Sequence, residues 1–284
     1  MTPKLIALVD GSIYSASVCE HAAWIARRTG AAVELLHVLG RREGAEKPDL
    51  SGAIRLGARS ALLEELAEID AQRARLVAHR GRAILEDARA ILDRAGIDEI
   101  TTRLRHGDLV ETVAAVEAEA DMILIGKRGE AADFAKGHLG SNLERIVRAS
   151  HKPVFVAARA FRPVEKVLLA HDGGASAMKA VEFVATSPLF AGLGAHVVTV
   201  GPDTPEARKG LGDARARLAA AGIAATAGMV EGQPETALGR LVEEGGFGMV
   251  VMGAYGHSRI RSLIIGSTTT EMVRSCRVPV VLVR

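Results

Sequence analysis

Lys4-Leu-Ile-Ala-Leu-Val-Asp10-Gly11 returns as Lys166-Val-Leu-Leu-Ala-His-Asp172-Gly173, 162 residues further along the chain. Each stretch is a short apolar run that ends in a carboxylate and a glycine, the pattern of a buried strand running into a tight turn. Glu20/Glu182, Leu36/Val198 and Val38/Val200 keep the same offset. Farther on, Asp121-Met-Ile-Leu-Ile-Gly126 matches Gly248-Met-Val-Val-Met-Gly253 at offset 127. Gly140-Ser141 matches Gly266-Ser267, Val147-Arg148 matches Val273-Arg274, and Pro153-Val154 matches Pro279-Val280, all at offset 126. Matches that recur in one order mark two copies of a single domain. The boundary lies near Phe161-Arg162-Pro163, giving domains at 1–160 and 164–284. The fall in offset places about 35 extra residues in the first copy, between Val38 and Met122.

The second copy alternates strand and helix. Strands are expected at 167–170, 195–200, 224–230, 248–252 and 278–283, and helices at 175–191, 205–221, 234–244 and 266–276. Strands that are continuous apolar runs, separated by helices, require a parallel sheet covered on both faces. The fold class is α/β, a five-stranded doubly wound domain present twice. The first copy carries a long helical insertion at about 41–95, rich in Ala, Leu, Glu and Arg. Leu62, Leu66, Ile69, Leu76, Ile84, Ala88 and Ile91 give it helical spacing, and Gly81 is the position expected to interrupt it. Packing of this helix on its own domain is the simpler expectation, and a partner surface the alternative.

Composition excludes several classes. The 284 residues carry a net charge of +2 and only 3% aromatics. That balance neither attracts nucleic acid nor supplies base-stacking platforms, and gives no anchor to an anionic membrane. Cys19 and Cys276 are too few for a disulfide framework or a CxxC metal site, and are expected reduced and packed. No run approaches the ~20 apolar residues of a membrane span, and the first apolar run is too short for a secretory segment. A cytoplasmic location follows as the expectation. No P-loop, dinucleotide fingerprint, HExxH or GxSxG motif is present.

In open parallel sheets, ligands bind beyond the carboxyl ends of the strands, where the strand order reverses. Asp172, Gly253-Ala-Tyr-Gly256 and Gly266-Ser267-Thr268-Thr269 converge there in the second copy. A helix N-terminus offers unpaired N–H groups and a positive dipole end to phosphate. Glycines allow close backbone approach, and an aspartate accepts from ribose hydroxyls. Taken singly, each of these residues is more often just a turn or a cap.

The spacing Gly-x2-Gly-x9-Gly-Ser, from Gly253 to Ser267, resembles the nucleotide-binding motif of the universal stress protein family. The start Leu169-Ala-His-Asp172 and the ending Arg274-Ser-Cys-Arg-Val-Pro279-Val-Val-Leu-Val agree with it. So do Ala7-Leu-Val-Asp10, Ile123-Leu-Ile-Gly126, Leu139-Gly-Ser141 and Val147-Arg-Ala-Ser-His-Lys-Pro153-Val in the first copy. The resemblance implies two tandem Rossmann-like (adenine nucleotide alpha hydrolase-like) domains, each with strand order 3-2-1-4-5. It also implies ATP binding, with Mg2+ held by the phosphates, and a cytoplasmic role in stress response. Carried over to this chain, it puts Asp172 at the ribose and Val200, with Met252, at the nucleoside. Gly253, Gly256, Gly266, Ser267, Thr268 and Thr269 would surround the phosphates, and Gly232 is a further backbone candidate. In the family the fifth strand commonly pairs two protomers, so Val154–Ala157 and Val280–Val283 are expected to pair within this chain. A homodimer is a further partner expectation.

The first copy departs from the pattern. Ten residues separate Gly129 from Gly140, Asn142 and Leu143 replace the two threonines, and Glu130 and Asp133 bring carboxylates to the loop. Like charges close together disfavour a triphosphate, although Lys127, Arg128 and Lys136 offer compensation. Two other readings compete. One is a scaffold that binds no nucleotide. The other is a relative of the ATP pyrophosphatases, whose Ser-Gly-Gly-x-Asp-Ser loop His171-Asp-Gly-Gly-Ala-Ser176 matches only in part. No pair of groups is arranged as base and nucleophile, so any ATP hydrolysis is expected to be slow.

Overall fold

The computed structural model describes residues 2–40, 56–127, 141–254 and 267–284, without the side chains of 56–63, 141, 267 and 268. The first copy contains β1 (Lys4–Leu8), α1 (Ser15–Thr29), β2 (Ala32–Leu39), α2 (Leu56–Arg94) and β3 (Ile100–His106). It continues with α3 (Leu109–Val116), β4 (Met122–Gly126), α4 (Ser141–Ala149) and β5 (Val154–Ala157). The second contains β6 (Lys166–Ala170), α5 (Ala175–Thr186), β7 (Gly194–Val200), α6 (Pro205–Ala220) and β8 (Ala225–Val230). It ends with α7 (Pro234–Gly245), β9 (Met249–Gly253), α8 (Ser267–Ser275) and β10 (Val280–Val283).

All strands join one ten-stranded sheet in the order β3-β2-β1-β4-β5-β10-β9-β6-β7-β8. Each half is parallel and repeats the order 3-2-1-4-5. The two fifth strands pair as expected, but antiparallel, with Val281 opposite Phe155 and Leu282 opposite Val154. The carboxyl ends of the two halves therefore lie on opposite edges of the sheet. Both central strands are buried throughout, so neither presents an open edge at the junction.

Residues alternate between the two faces along each strand. Leu5, Ala7, Val33, Leu35, Phe155, Leu169 and Val281 meet α1, the C-terminal part of α2, α5 and α6 on one side. Ile6, Leu8, Ile123, Val156, Leu168, Val250 and Leu282 meet α3, α4, α7 and α8 on the other. Each cluster crosses the junction without a break, so the two copies share both cores. Near β1 the buried Glu34 carboxylate sits 2.6 Å from Lys4 Nζ and 2.6 Å from Arg103 Nε, which compensates its burial.

Polar contacts close the junction. Arg28 Nε of the first copy donates to the Leu189 carbonyl of the second at 2.7 Å. The Lys127 ammonium reaches the carbonyl of Cys276, just past α8. Arg284 answers from the other side, donating to the Arg148 carbonyl in the last turn of α4 at 2.7 Å. Each copy thus supplies a cation to a carbonyl that a helix end in the other leaves without an intrahelical donor.

Two expectations on helices are corrected. The helix expected to run to Ala191 stops at Thr186. Ser187 precedes Pro188, is extended at φ −82° and ψ 127°, and caps a 3-10 turn over Pro188–Phe190. Gly81 does not interrupt α2, which runs through it for 39 residues. A Cβ there would stand 2.8 Å from Leu104 Cδ1 and 3.1 Å from His37 and Leu39, so glycine serves close packing on β2 and β3. No helix among the described residues is long and apolar enough to cross a membrane.

Candidate functional site

The strands of the second half end at one level. Ala170 of β6 lies beside Met252 of β9 and Val198 of β7, and Val200 of β7 beside Val230 of β8. The sheet reverses its order between β6 and β9, and the crevice at that point has His171-Asp172 on one side and Gly253 on the other. Val200 closes β7, and Gly232 lies two residues past β8.

Asp172 is exposed, and its Oδ1 accepts the Gly174 N–H at 2.9 Å. Its Oδ2 has no protein partner among the described residues. Gly173 takes φ +77°, which turns the chain from β6 into α5. The N-cap of α5 is Gly174, with no side-chain cap, so the first N–H groups of that helix lack side-chain acceptors. Gly253 is pressed against this helix start: a Cβ would stand 2.6 Å from the Ser176 carbonyl carbon and 2.8 Å from Ala177 N. Gly232, at φ +124°, would point a Cβ into open space. Beneath the crevice, His171 is buried, its carbonyl accepts from Thr199 Oγ1 at 2.8 Å, and burial holds its imidazole below the ordinary value. The ring is therefore neutral at pH 7 and adds no charge to the site.

Met252 and Thr269 are both buried, at 6% and 5% exposure. Ser267 and Thr268 open α8 at the backbone level. Gly256 and Gly266 lie outside the described residues. Sequence reasoning singled out the start of α8 and missed that of α5, which the fold brings against Gly253. The small-residue run Gly173-Gly174-Ala175-Ser176-Ala177 was the available signal.

The corresponding corner of the first copy is built differently. Asp10 Oδ1 accepts from Ser12 N at 3.0 Å and Ser15 Oγ at 3.2 Å. Ile84 of α2 leans over Gly11, where a Cβ would stand 2.9 Å from its Cδ1. Where the second copy has Gly232-Gln233, the first has Gly107-Asp108. Asp108 caps α3, accepting from Val110 N at 2.9 Å and Glu111 N at 3.2 Å, and pairs with Arg145 at 2.9 Å. Burial pushes this carboxyl up, but Arg145 and the two N–H groups together hold it below its ordinary value, so it stays charged. Lys127, expected as compensation for the loop carboxylates, is turned to Cys276 across the junction; Glu130, Asp133, Arg128 and Lys136 lie outside the described residues. A cavity of about 230 Å³ lies between Leu39 at the end of β2 and Arg73, Val77 and Arg80 of α2.

A model of the universal stress protein family matches residues 1–158 and 163–284. A curated universal stress protein of Synechocystis sp. is 37% identical over 285 residues, spanning 99% of this chain and 99% of that protein. Among solved structures, a universal stress protein from Archaeoglobus fulgidus aligns with TM-score 0.74 and 22% identity, over 99% of this chain and 96% of that one. A functionally unknown protein from Pseudomonas aeruginosa aligns with TM-score 0.63 and 17% identity, over 99% of this chain and 92% of that one.

Proposed function

The chain belongs to the universal stress protein family, and from that premise we propose that its second copy binds ATP in the crevice between β6 and β9. The observation that carries this reading is the meeting of Asp172 with the start of α5 at the point where the sheet order reverses. One carboxylate oxygen holds the turn, and the other suits a pair of ribose hydroxyls. The N–H groups opening α5 and α8 suit the phosphates, with the hydroxyls of Ser267 and Thr268 as further donors. The backbone end of β7 at Val200 suits the edge of the adenine ring, and Gly232 leaves room for close approach. Mg2+ would be held by the phosphates.

The mechanism is binding rather than turnover. Among the described residues no base and nucleophile face each other in the crevice. ATP would act by differential affinity, altering the surface offered to a partner in the cytoplasm. The first copy is read as a weak ATP site. Its Asp10 is tied into its own turn, its Gly11 lies under Ile84, and a charged Asp108 stands where the second copy has a neutral Gln233.

Isothermal titration with ATP tests the assignment. Gly266→Asp should remove most of the heat, because it adds both a side chain and a negative charge where phosphate is placed. Gly140→Asp should change little. The reverse pattern would move the site to the first copy, and no heat from the wild-type protein would leave the scaffold reading. Release of pyrophosphate or phosphate at a catalytic rate would favour the enzyme.

A further inference from the structure

The N-terminal part of α2 extends beyond the sheet it serves. Gly81 packs at the end of β2, and the helix begins at Leu56, so about 36 Å of helix lies past the carboxyl edge. From Glu64 to Arg80 only Leu66, Val77 and Ala78 are even half-buried. Ile69 is 53% exposed and Leu76 71%, the highest values among the exposed large apolar residues described. They stand seven residues apart, on one face of the helix.

The charges on this stretch are sorted by sign. Glu64, Glu65, Glu68 and Asp70 occupy its first part, and Arg73, Arg75, Arg80 and Arg82 follow. Glu64 and Glu68 are like charges at i,i+4, and Glu65 and Glu68 at i,i+3, arrangements that destabilise a lone helix in water. An exposed helix is better served by mixed signs. A partner with the opposite sequence of signs converts the repulsion into attraction, and a second copy running antiparallel has that sequence.

We propose that α2 is the dimerisation element of this protein. Two copies cross antiparallel about a two-fold axis near Gln72, with the acidic stretch of each on the basic stretch of the other. Ile69 of one copy then faces Leu76 of the other, twice, and Asp70 faces Arg75. A parallel pair would set acid against acid and align the helix dipoles unfavourably. The contact is isologous, as a closed dimer requires. The fifth strands are unavailable for the purpose, since each is already paired inside the chain.

Sedimentation equilibrium of the full chain should show a dimer at low salt, with dissociation strengthened about tenfold or more as ionic strength rises past that at which the Debye length falls below ~8 Å. Arg73→Glu with Arg75→Glu should yield a monomer, as should Glu68→Arg with Asp70→Arg. All four positions are exposed, and circular dichroism would verify that both variants are folded. An equimolar mixture of the two should recover the dimer, because an acidic helix then meets a basic one. Under copper-catalysed air oxidation, Gln72→Cys should form a disulfide-linked dimer and Glu64→Cys should not, because only a position near the axis meets its own copy. A monomeric wild-type protein, charge variants that remain dimeric, a mixture that stays monomeric, or linkage through position 64 in place of 72 would each overturn the proposal.

Discussion

Gly253 is held by packing before any ligand is considered. Its missing Cβ leaves room for the first turn of α5, and two of the three atoms it would strike, Ser176 C and Ala177 N, are backbone atoms that cannot swing aside. Gly253→Ala is expected to cost about 1–3 kcal/mol of stability in urea denaturation without nucleotide. A loss of ATP affinity in that variant would therefore not identify a ligand role, which is why Gly266 is the better test. His21 makes a second prediction at this scale. It is fully buried, its Nδ1 lies 2.7 Å from the Ser17 carbonyl, and its Nε2 has no partner among the described residues. The ring packs on Phe155 and Phe161, with centroids 5.2 and 5.1 Å away. Burial lowers its pKa from 6.5 to about 4. The unfolded chain therefore binds the proton first as pH falls. The stability is fully present above pH ~6.5 and is lost between there and pH ~4, up to about 3 kcal/mol. His21→Asn, whose amide can still donate to Ser17, should flatten that part of the stability profile; equal slopes in the two proteins would refute the assignment.

At the scale of elements, the start of α8 separates two roles. If Ser267 and Thr268 only cap the helix, their removal lowers the apo melting temperature, since a cap is worth about 1 kcal/mol. If they donate to phosphate, the loss appears in binding. A charge-assisted hydrogen bond is stronger than a neutral one, and Ser267→Ala with Thr268→Ala is expected to weaken ATP binding about tenfold or more. The apo melting curve should stay nearly in place; calorimetric titration and melting of the same double variant decide between the roles. The helix α2 shows how one element serves two environments. Leu85, Ala88 and Leu92 are buried against the first sheet, whereas the turns before Gly81 carry exposed apolar residues and sorted charges. Tertiary packing stabilises the C-terminal part, and a helical stretch without such packing is marginal in water.

For the whole molecule, the antiparallel pairing of β5 with β10 makes the halves interdependent. Residues 163–284 expressed alone would expose the edge of β10, whose residues Val280–Val283 are all apolar. Light scattering is expected to show self-association of that fragment, and a fragment that stays monomeric at high concentration would contradict this view of the junction. The full chain closes the same edge internally and reinforces it with Lys127 and Arg284, each bonded to a helix-end carbonyl of the other copy. The same pairing points the two candidate corners to opposite edges of the sheet. A nucleotide bound as proposed in the second copy would thus lie far from α2, and the proposed dimer contact and the proposed ATP site should titrate independently.

The sequence by itself determined the repeat, the α/β class and the strand positions, because continuous apolar runs ending in Asp10-Gly11 and Asp172-Gly173 are local patterns that only a doubly covered parallel sheet satisfies. It also singled out Asp172 and Gly253, since turn chemistry at strand ends is encoded within a few residues, whereas Gly232 entered only through the family resemblance. Tertiary structure decided what depends on neighbours distant in the chain. Gly81 continues a helix because Leu39 and Leu104 crowd it, and nothing near it in sequence announces them. Lys127 crosses to Cys276 because the antiparallel junction brings that helix end within reach, although its sequence context suggested an anion. The start of α5 meets Gly253 because β6 and β9 are adjacent only in the folded sheet. Local periodicity writes the elements, and long-range packing chooses which helix end faces which strand.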